Sequence, residues 1–173
     1  HVYTAEGNYG VTLNVTDTMG WWSITSKNLT VIAVAPIHDI SIISVTPPAS
    51  VYDGTGTIDI VALVMNNGTR PETFNVTAYH NVTATEWKAF ETQEVTQLYP
   101  PLNETLTFTL NITTLALYID YTIKIQTSAI PEDINPDDNT IIDGTIIVKM
   151  LGDADGDGWV SGYDNAMWTD AFG

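Results

Sequence analysis

The stretch Thr57-Ile-Asp-Ile-Val-Ala-Leu-Val-Met-Asn66 carries the strand pattern from which the fold is predicted. Its apolar residues at 58, 60, 62 and 64 recur with a period of two, which indicates a β-strand that buries one face. Runs of the same kind, separated by Pro, Gly, Asn and Asp turns, lie near 39–46, 72–80, 85–97, 104–112, 117–127 and 141–149. Seven short strands predict an all-β sandwich.

Alternation also predicts the core of this sandwich. The predicted core residues are Ile58, Ile60, Ala62, Val64, Phe74, Val76, Leu106, Phe108, Leu110, Ile119, Tyr121, Ile123 and Ile125. The strand at 57–66 is unusual because Val61, Leu63 and Met65 make its other face apolar too. Either that face packs on the N-terminal segment or another subunit, or the strand is central with a half-covered outer face.

Residues 1–36 predict a β-hairpin. Two alternating runs, beginning at Tyr9 and Trp22, are joined by a turn at Asp17-Thr-Met-Gly20. A lone hairpin with one apolar face is marginal in water, so we expect its partner strands elsewhere. A truncated or processed chain is the favoured explanation, and strand donation between subunits is the alternative.

The segment 153–164 matches a twelve-residue EF-hand loop, in which oxygens at positions 1, 3, 5, 7, 9 and 12 surround calcium and position 6 is Gly. Gly158 occupies that turn position. The predicted ligands are Asp153, Asp155, Asp157, the carbonyl of Trp159, Ser161 (directly or through water) and Asp164. Four carboxylates in so short a loop repel one another without a cation, which favours a bound calcium ion. The alternative interpretation is a solvated acidic turn.

A short helix is predicted after Asp164. It would place Val160, Tyr163, Met167 and Ala171 on one side, with Trp168 and Phe172 adjacent and Gly173 as a C-terminal cap. Because Met150-Leu-Gly152 leaves little room for a flexible linker, we expect the loop to sit against the sandwich end. The acidic run of Glu132, Asp133, Asp137 and Asp138 is either a second calcium site or a solvated loop.

Composition excludes several classes of function. The chain of 173 residues has 21 acidic and 5 basic residues, a net charge of −16, which disfavours nucleic acid and anionic membranes as partners. It contains no Cys, so disulfides and thiolate metal sites are excluded. Any additional stabilisation of small domains must then come from a metal ion or from neighbouring domains. No signal peptide or membrane span is predicted.

Asn-x-Ser/Thr sequons are dense, and they predict an extracellular glycoprotein. They lie at Asn14, Asn28, Asn67, Asn75, Asn81, Asn103 and Asn111, although a Thr-rich composition inflates such matches. Asn75 and Asn111 have the strand parity opposite to the large apolar residues, so both should project into solvent.

The sequence gives no pattern for catalysis. His1, His38 and His80 are scattered, there is no nucleophile elbow or Gly-rich phosphate loop, and His80 is interpreted as structural. We therefore expect no enzyme. Carbohydrate binding through Trp21, Trp22 or Trp87 is a weaker hypothesis, since core packing is the simpler explanation for these rings.

Three family resemblances divide the chain. The stretch from His1 to Asp17 resembles the end of a PKD domain, an Ig-like sandwich of cell-surface proteins, over residues 1–36. His-Asp-Ile-Ser-Ile at 38–42, Val-Met-Asn-Asn-Gly at 64–68, Glu-Thr-Phe-Asn-Val-Thr at 72–77 and the stretch at 131–139 resemble a CARDB-type adhesion-associated Ig-like domain over 38–149. Leu-Gly-Asp-x-Asp-Gly-Asp-Gly-x-Val from Leu151 resembles the first half of a type I dockerin, over 150–173. Asn66, Gly68 and Asn139 are expected to have structural roles, the last by bonding backbone before the final strand.

These resemblances imply a calcium-stabilised structural or adhesive protein of the cell surface, such as a subunit of a surface layer, sheath or filament. Its partners would be copies of itself or neighbouring surface domains. The alternative is an accessory, dockerin-like region of a secreted enzyme that binds a cohesin-like protein, and a glycan is a further possible partner.

Overall fold

A computed structural model describes residues 5–48, 50–53 and 56–165. The chain divides into two compact units, His1–Pro36 and Ile37–Gly173. Within the described residues the regular structure is almost entirely β, which confirms the predicted all-β class. The strands are β1 (Gly7–Thr16), β2 (Trp22–Val31), β3 (Ile40–Thr46), β4 (Ser50–Tyr52), β5 (Thr57–Asn66), β6 (Glu72–Asn81), β7 (Trp87–Leu98), β8 (Asn103–Asn111), β9 (Asp120–Thr127) and β10 (Thr140–Lys149).

The first unit contains the predicted hairpin of β1 and β2, paired antiparallel over their full length. Oδ1 of Asp17 accepts hydrogen bonds from the N–H groups of Met19 and Trp21, at 2.8 and 2.9 Å. An Asp side chain that bonds the backbone two residues on is a standard turn former. Asp17 therefore forms the predicted turn.

The expectation of a single apolar face on this hairpin is wrong. Ile24 is paired with Asn14 and Trp22 with Thr16, and residues directly opposite in an antiparallel pair share a face. Trp22 and Ile24 thus lie on the face of the Asn14 sequon, opposite Leu13. Alternation within each strand cannot show this, because the register set by the turn determines which residues share a face.

The second unit is a sandwich of two sheets. One is five-stranded in the order β4-β10-β9-β6-β7, and the other is three-stranded in the order β3-β5-β8. The seven predicted strands correspond to β3 and β5–β10. Strand β4 was not predicted, and its three residues pair parallel with Ile147, Val148 and Lys149 of β10. Three residues are too few to show a hydrophobic period.

Most of the predicted core is buried between these sheets, together with Ile40, Val95, Ile112, Ile146 and Val148. Two predictions differ. Ile119 is 51% exposed because it precedes β9, which begins at Asp120 and not near 117 as predicted. Tyr121 packs against the core but is only half-buried, and its hydroxyl accepts a hydrogen bond from the N–H of Ala116 at 2.8 Å.

The doubly apolar strand β5 is the central strand of its sheet, between β3 and β8. On its outer face Val61 is exposed while Leu63 and Met65 are half-buried. This matches the alternative of a central strand with a half-covered outer face.

Asn66 is a structural residue at the end of β5, as predicted. It is fully buried, its Nδ2 donates to the carbonyls of Arg70 and Leu98 at 2.7 Å each, and its Oδ1 accepts from Gly68 N–H at 2.9 Å. A Cβ on Gly68 would lie 2.4 Å from the carbonyl oxygen of Ile37, so only Gly fits there.

Asn139 is also structural, but its partners differ from the expected backbone groups. Its Oδ1 accepts from the Thr127 hydroxyl at 3.0 Å, and its Nδ2 donates to Asp133 at 2.7 Å. It therefore ties the loop before β10 to the end of β9 through side chains.

Candidate metal centre

The segment after β10 folds into a tight loop that is organised by its own Asp side chains. Oδ1 of Asp153 accepts from Gly156 N–H at 2.8 Å, Oδ1 of Asp155 from Asp157 N–H at 3.1 Å, and Oδ1 of Asp157 from Trp159 N–H at 2.8 Å. Gly158, at the predicted turn position, has φ +87°, which side-chain-bearing residues rarely adopt. These successive Asp turns bend the chain back on itself.

Asp164 closes the loop from its C-terminal end, at a helical turn over 162–165. Its Oδ1 accepts from the N–H groups of Ala154 and Asp155 at 2.8 and 3.3 Å, and its Oδ2 accepts from Ser161 N–H at 2.6 Å. One side chain thus holds both ends of the loop together.

The loop gathers three carboxylates into one group. Asp153, Asp155 and Asp164 each offer a carboxylate oxygen, and these atoms all lie within 4.8 Å of one another. Asp153 and Asp164 are 7% and 2% exposed, whereas Asp155 is exposed. Among residues 5–48, 50–53 and 56–165, no other set of three acidic or His side chains comes this close. The group could hold a metal ion.

The other predicted ligands are not part of this group. Asp157 bonds the backbone of Trp159, and the Ser161 hydroxyl accepts from Tyr163 N–H at 3.1 Å. The predicted metal ligand at Trp159 is its backbone carbonyl oxygen, and its side chain is exposed. The structure therefore brings together three of the four predicted carboxylates.

Most of the helix predicted after Asp164 lies outside the described residues, namely Met167, Trp168, Ala171, Phe172 and Gly173. Two other residues assigned to that helix, Val160 and Tyr163, are exposed.

The three carboxyl groups differ in pKa. The pKa of Asp153 is lowered, first by the hydrogen bond from the Tyr118 hydroxyl and then by the N–H groups of Gly158 and Gly156, which together outweigh burial. The Ser161 N–H, with those of Ala154 and Asp155, likewise lowers the pKa of Asp164. For Asp155, the bond from Asp157 N–H acts to lower the pKa, but desolvation and the charges of Asp157 and Asp164 raise it overall. A cation would relieve this repulsion.

Two contacts that the sequence analysis missed join the loop to the sandwich. Tyr118, between β8 and β9, donates its hydroxyl to Oδ2 of Asp153, and Oδ1 of Asp53, just after β4, accepts from Leu151 N–H at 2.9 Å. The expectation that the loop sits against the sandwich end is confirmed. Neither contact leaves a local sequence signal, because each partner lies far from the loop along the chain.

The second acidic run forms a different kind of cluster. Asp133 and Asp138 lie near Asp39 at the start of β3, but their ligand atoms do not converge as those of the loop do. Oδ1 of Asp39 and Oδ1 of Asp138 are both buried without a hydrogen-bond partner among the described residues. Desolvation by burial is the main cause that raises the pKa of both carboxyl groups. The negative charge of Asp133 raises the pKa of Asp39 further, and the charges of Asp39 and Asp133 do the same for Asp138.

The sequons are mostly accessible. Asn75 and Asn111 are exposed, which confirms their predicted direction, and Asn14, Asn28, Asn67 and Asn103 are exposed as well. Asn81 differs because it is half-buried and its Oδ1 accepts from Thr122 N–H at 2.7 Å.

Core packing does not account for the three Trp residues proposed for carbohydrate binding. Trp21 and Trp22 are 75% and 68% exposed. Trp87 is half-buried with Lys124 Nζ 5.0 Å from its ring centre. His80, by contrast, is buried against Phe90 and Tyr121, as a structural residue would be.

No helix within the described residues has the length and apolar character needed to cross a bilayer.

No family model and no curated protein matches this chain. Among solved structures, similar folds occur in β-glucosidases. The enzyme from Listeria innocua in complex with glucose has a TM-score of 0.46 and 14% identity over 66% of this chain and 16% of its own. EmGH1 from Erythrobacter marinus has a TM-score of 0.46 and 17% sequence identity, and the match covers 64% of this chain and 15% of the enzyme. β-Glucosidase 3B from Thermotoga neapolitana in complex with glycerol has a TM-score of 0.44 and 12% sequence identity, and the match covers 62% of this chain and 15% of the enzyme. The chain thus spans under a fifth of these enzymes, and a likeness of this size carries no argument about function.

Proposed function

We propose that the loop at 153–164 binds calcium and that this ion orders the C-terminal part of the second unit. The supporting observation is the convergence of carboxylates from Asp153, Asp155 and Asp164. An all-oxygen donor set suits hard cations such as Ca²⁺, which accepts six to eight oxygen ligands. Asp157, the carbonyl of Trp159 and Ser161 would supply the rest, as the spacing of the sequence predicts.

In this proposal the protein is a non-enzymatic, glycosylated, calcium-stabilised structural or adhesive component of the cell surface. The two-sheet sandwich supplies a stiff body, and calcium fixes the terminal loop on it. Extracellular calcium is millimolar, a range in which modules of modest affinity are filled. Exposed sequons and the strong negative charge also suit this location.

Apolar surface supports association with further copies or with neighbouring surface domains. Val11, Leu13, Val15 and Leu29 are all exposed on one face of the hairpin. Contiguous exposed apolar side chains of this kind are typical of interaction surfaces. A surface layer, sheath or filament is the kind of assembly we propose.

Sedimentation velocity tests the proposal. Glycosylated protein should form large assemblies in millimolar calcium that dissociate on chelation. Asp164→Asn protein in the same calcium buffer is the matched control and should sediment as the chelated protein does. Wild-type protein that is monomeric under both conditions contradicts the structural role.

The alternative is a docking module that binds a cohesin-like partner, and one observation favours it. Trp159, Val160 and Tyr163 are exposed beside the carboxylate group, where an ordered loop would present them to a partner. This function predicts a calcium-loaded monomer that captures a cohesin-like domain. Trp159→Ala should abolish the capture without changing calcium affinity.

A further inference from the structure

Tyr118 is held in an unusual backbone conformation beside the end of β10. Its φ is +59°, a left-handed value that is uncommon for a residue with a large side chain. Its N–H donates to the carbonyl of Val148 at 2.8 Å. The backbone of Tyr118 is therefore held by the last strand of the sandwich.

The Tyr118 side chain contacts the loop at several points. The hydroxyl donates to Oδ2 of Asp153 and accepts from Met150 N–H at 3.3 Å. A Cβ on Gly158 would lie 3.9 Å from Cε2 of Tyr118, so the ring lies next to the turn of the loop. The N–H of Gly158 itself donates to the same Oδ2 of Asp153 at 2.9 Å.

We propose that Tyr118 is a positioning residue for the metal centre, which orients the Asp153 carboxylate and couples metal occupancy to the stability of the sandwich. The inference rests on the calcium site proposed above. Two donors to Oδ2 fix the rotation of the carboxylate before an ion arrives. Ligands that are ordered in advance bind more tightly, because less conformational entropy is lost on binding.

The coupling follows from the position of Tyr118. Its hydroxyl joins Asp153 to the first residue after β10, and its N–H is bonded to β10 itself. An ion that holds Asp153 in place thereby also holds this end of the sheet. Linkage requires that the stabilisation by bound calcium grows with its affinity.

The test compares Tyr118→Phe with wild type in the full 173-residue chain, using calcium titration calorimetry and thermal unfolding with and without calcium. The variant should bind calcium about tenfold more weakly, the size of effect typical of residues that orient a ligand. The calcium-induced rise in its unfolding midpoint should shrink accordingly. Tyr99→Phe removes an exposed hydroxyl in the β7–β8 turn and should leave both quantities at their wild-type values.

Two results would overturn the inference, and they are distinguishable. Equal calcium affinity in Tyr118→Phe and wild type removes the positioning role while leaving the metal site intact, and if the variant is also destabilised equally with and without calcium, it has lost only a structural contact. Wild-type protein that binds no calcium contradicts the metal site itself, and the role of Tyr118 with it.

Discussion

The backbone N–H of Leu151 donates a hydrogen bond to Oδ1 of Asp53, 98 residues earlier in the chain, over 2.9 Å. Asp53 follows β4, and Leu151 follows β10, to which β4 is paired. The bond therefore continues the contact between these two strands beyond their last backbone pair, up to the start of the acidic loop.

Removing this acceptor should weaken the junction between sandwich and loop. Asp53→Ala should lower the free energy of unfolding of the second unit by up to about 1 kcal/mol, because the bond lies at the surface and water can replace it. Asp53→Asn keeps an amide oxygen that accepts the same N–H, so it should be milder. Urea unfolding of both variants checks this, and equal losses would mean that charge matters and not the hydrogen bond.

The four acidic positions of the loop should differ in their importance for metal binding. Asp164→Asn should weaken calcium binding at least about tenfold, since Asp164 belongs to the gathered carboxylates and closes the loop. Asp157→Asn changes the charge equally but alters a carboxylate that bonds the backbone of Trp159. We expect a smaller loss from it in calorimetric titration. The reverse order would show that the loop rearranges around the ion.

The acidic cluster of Asp39, Asp133 and Asp138 should make stability depend on pH. The folded-state pKa values of Asp39 and Asp138 are raised by desolvation and by neighbouring carboxylates. Such groups contribute stability that is fully present below their unfolded pKa, about 3.9, and is lost as pH rises through the folded value. Asp138→Asn should therefore gain stability relative to wild type as pH rises from about 4 to 7.

Urea unfolding at several pH values in the presence of chelator measures this difference. Asp120→Asn, an exposed carboxylate on β9, is the control and should show no such trend. A difference between Asp138→Asn and wild type that stays constant with pH would contradict the assigned shift.

The sequons Asn75 and Asn81 lie on the same strand but should respond differently to substitution. In unglycosylated protein, Asn81→Gln should cost about 1 kcal/mol, because it displaces the oxygen that accepts from Thr122 N–H. Asn75→Gln should change stability by less than about 0.5 kcal/mol, since that side chain is exposed. Thermal unfolding compares the two. Similar losses at both positions would mean that the Asn81 contact contributes little.

Much of the sandwich could be predicted because period-two alternation is a local property of each strand. Phe108 and Ile123 are buried as alternation indicates, and β5 has the predicted bounds. Relationships between strands could not be predicted in the same way. The pairing of Ile24 with Asn14 depends on the hairpin register, and the parallel pairing of β4 depends on where β10 lies.

The candidate site shows the same division. The spacing of Asp153, Asp155 and Asp164 within the loop predicted a cluster that the structure contains. The spacing could not predict that Asp157 bonds the backbone of Trp159, because the loop geometry determines which carboxylates converge. Tyr118 and Asp53 reach the loop only through the folded sandwich, so no motif indicates them.

The parallel pairing of β4 with β10 also determines how the second unit would resist mechanical tension. Both strands run in the same direction, so a force that draws the N-terminal side of β4 away from the C-terminal side of β10 acts along their shared axis. Their hydrogen bonds are then strained in shear, all at once, instead of opening one after another from an end. Resistance to forced unfolding is governed by the rate of unfolding. The three residue pairs between β4 and β10 would therefore resist such a force together.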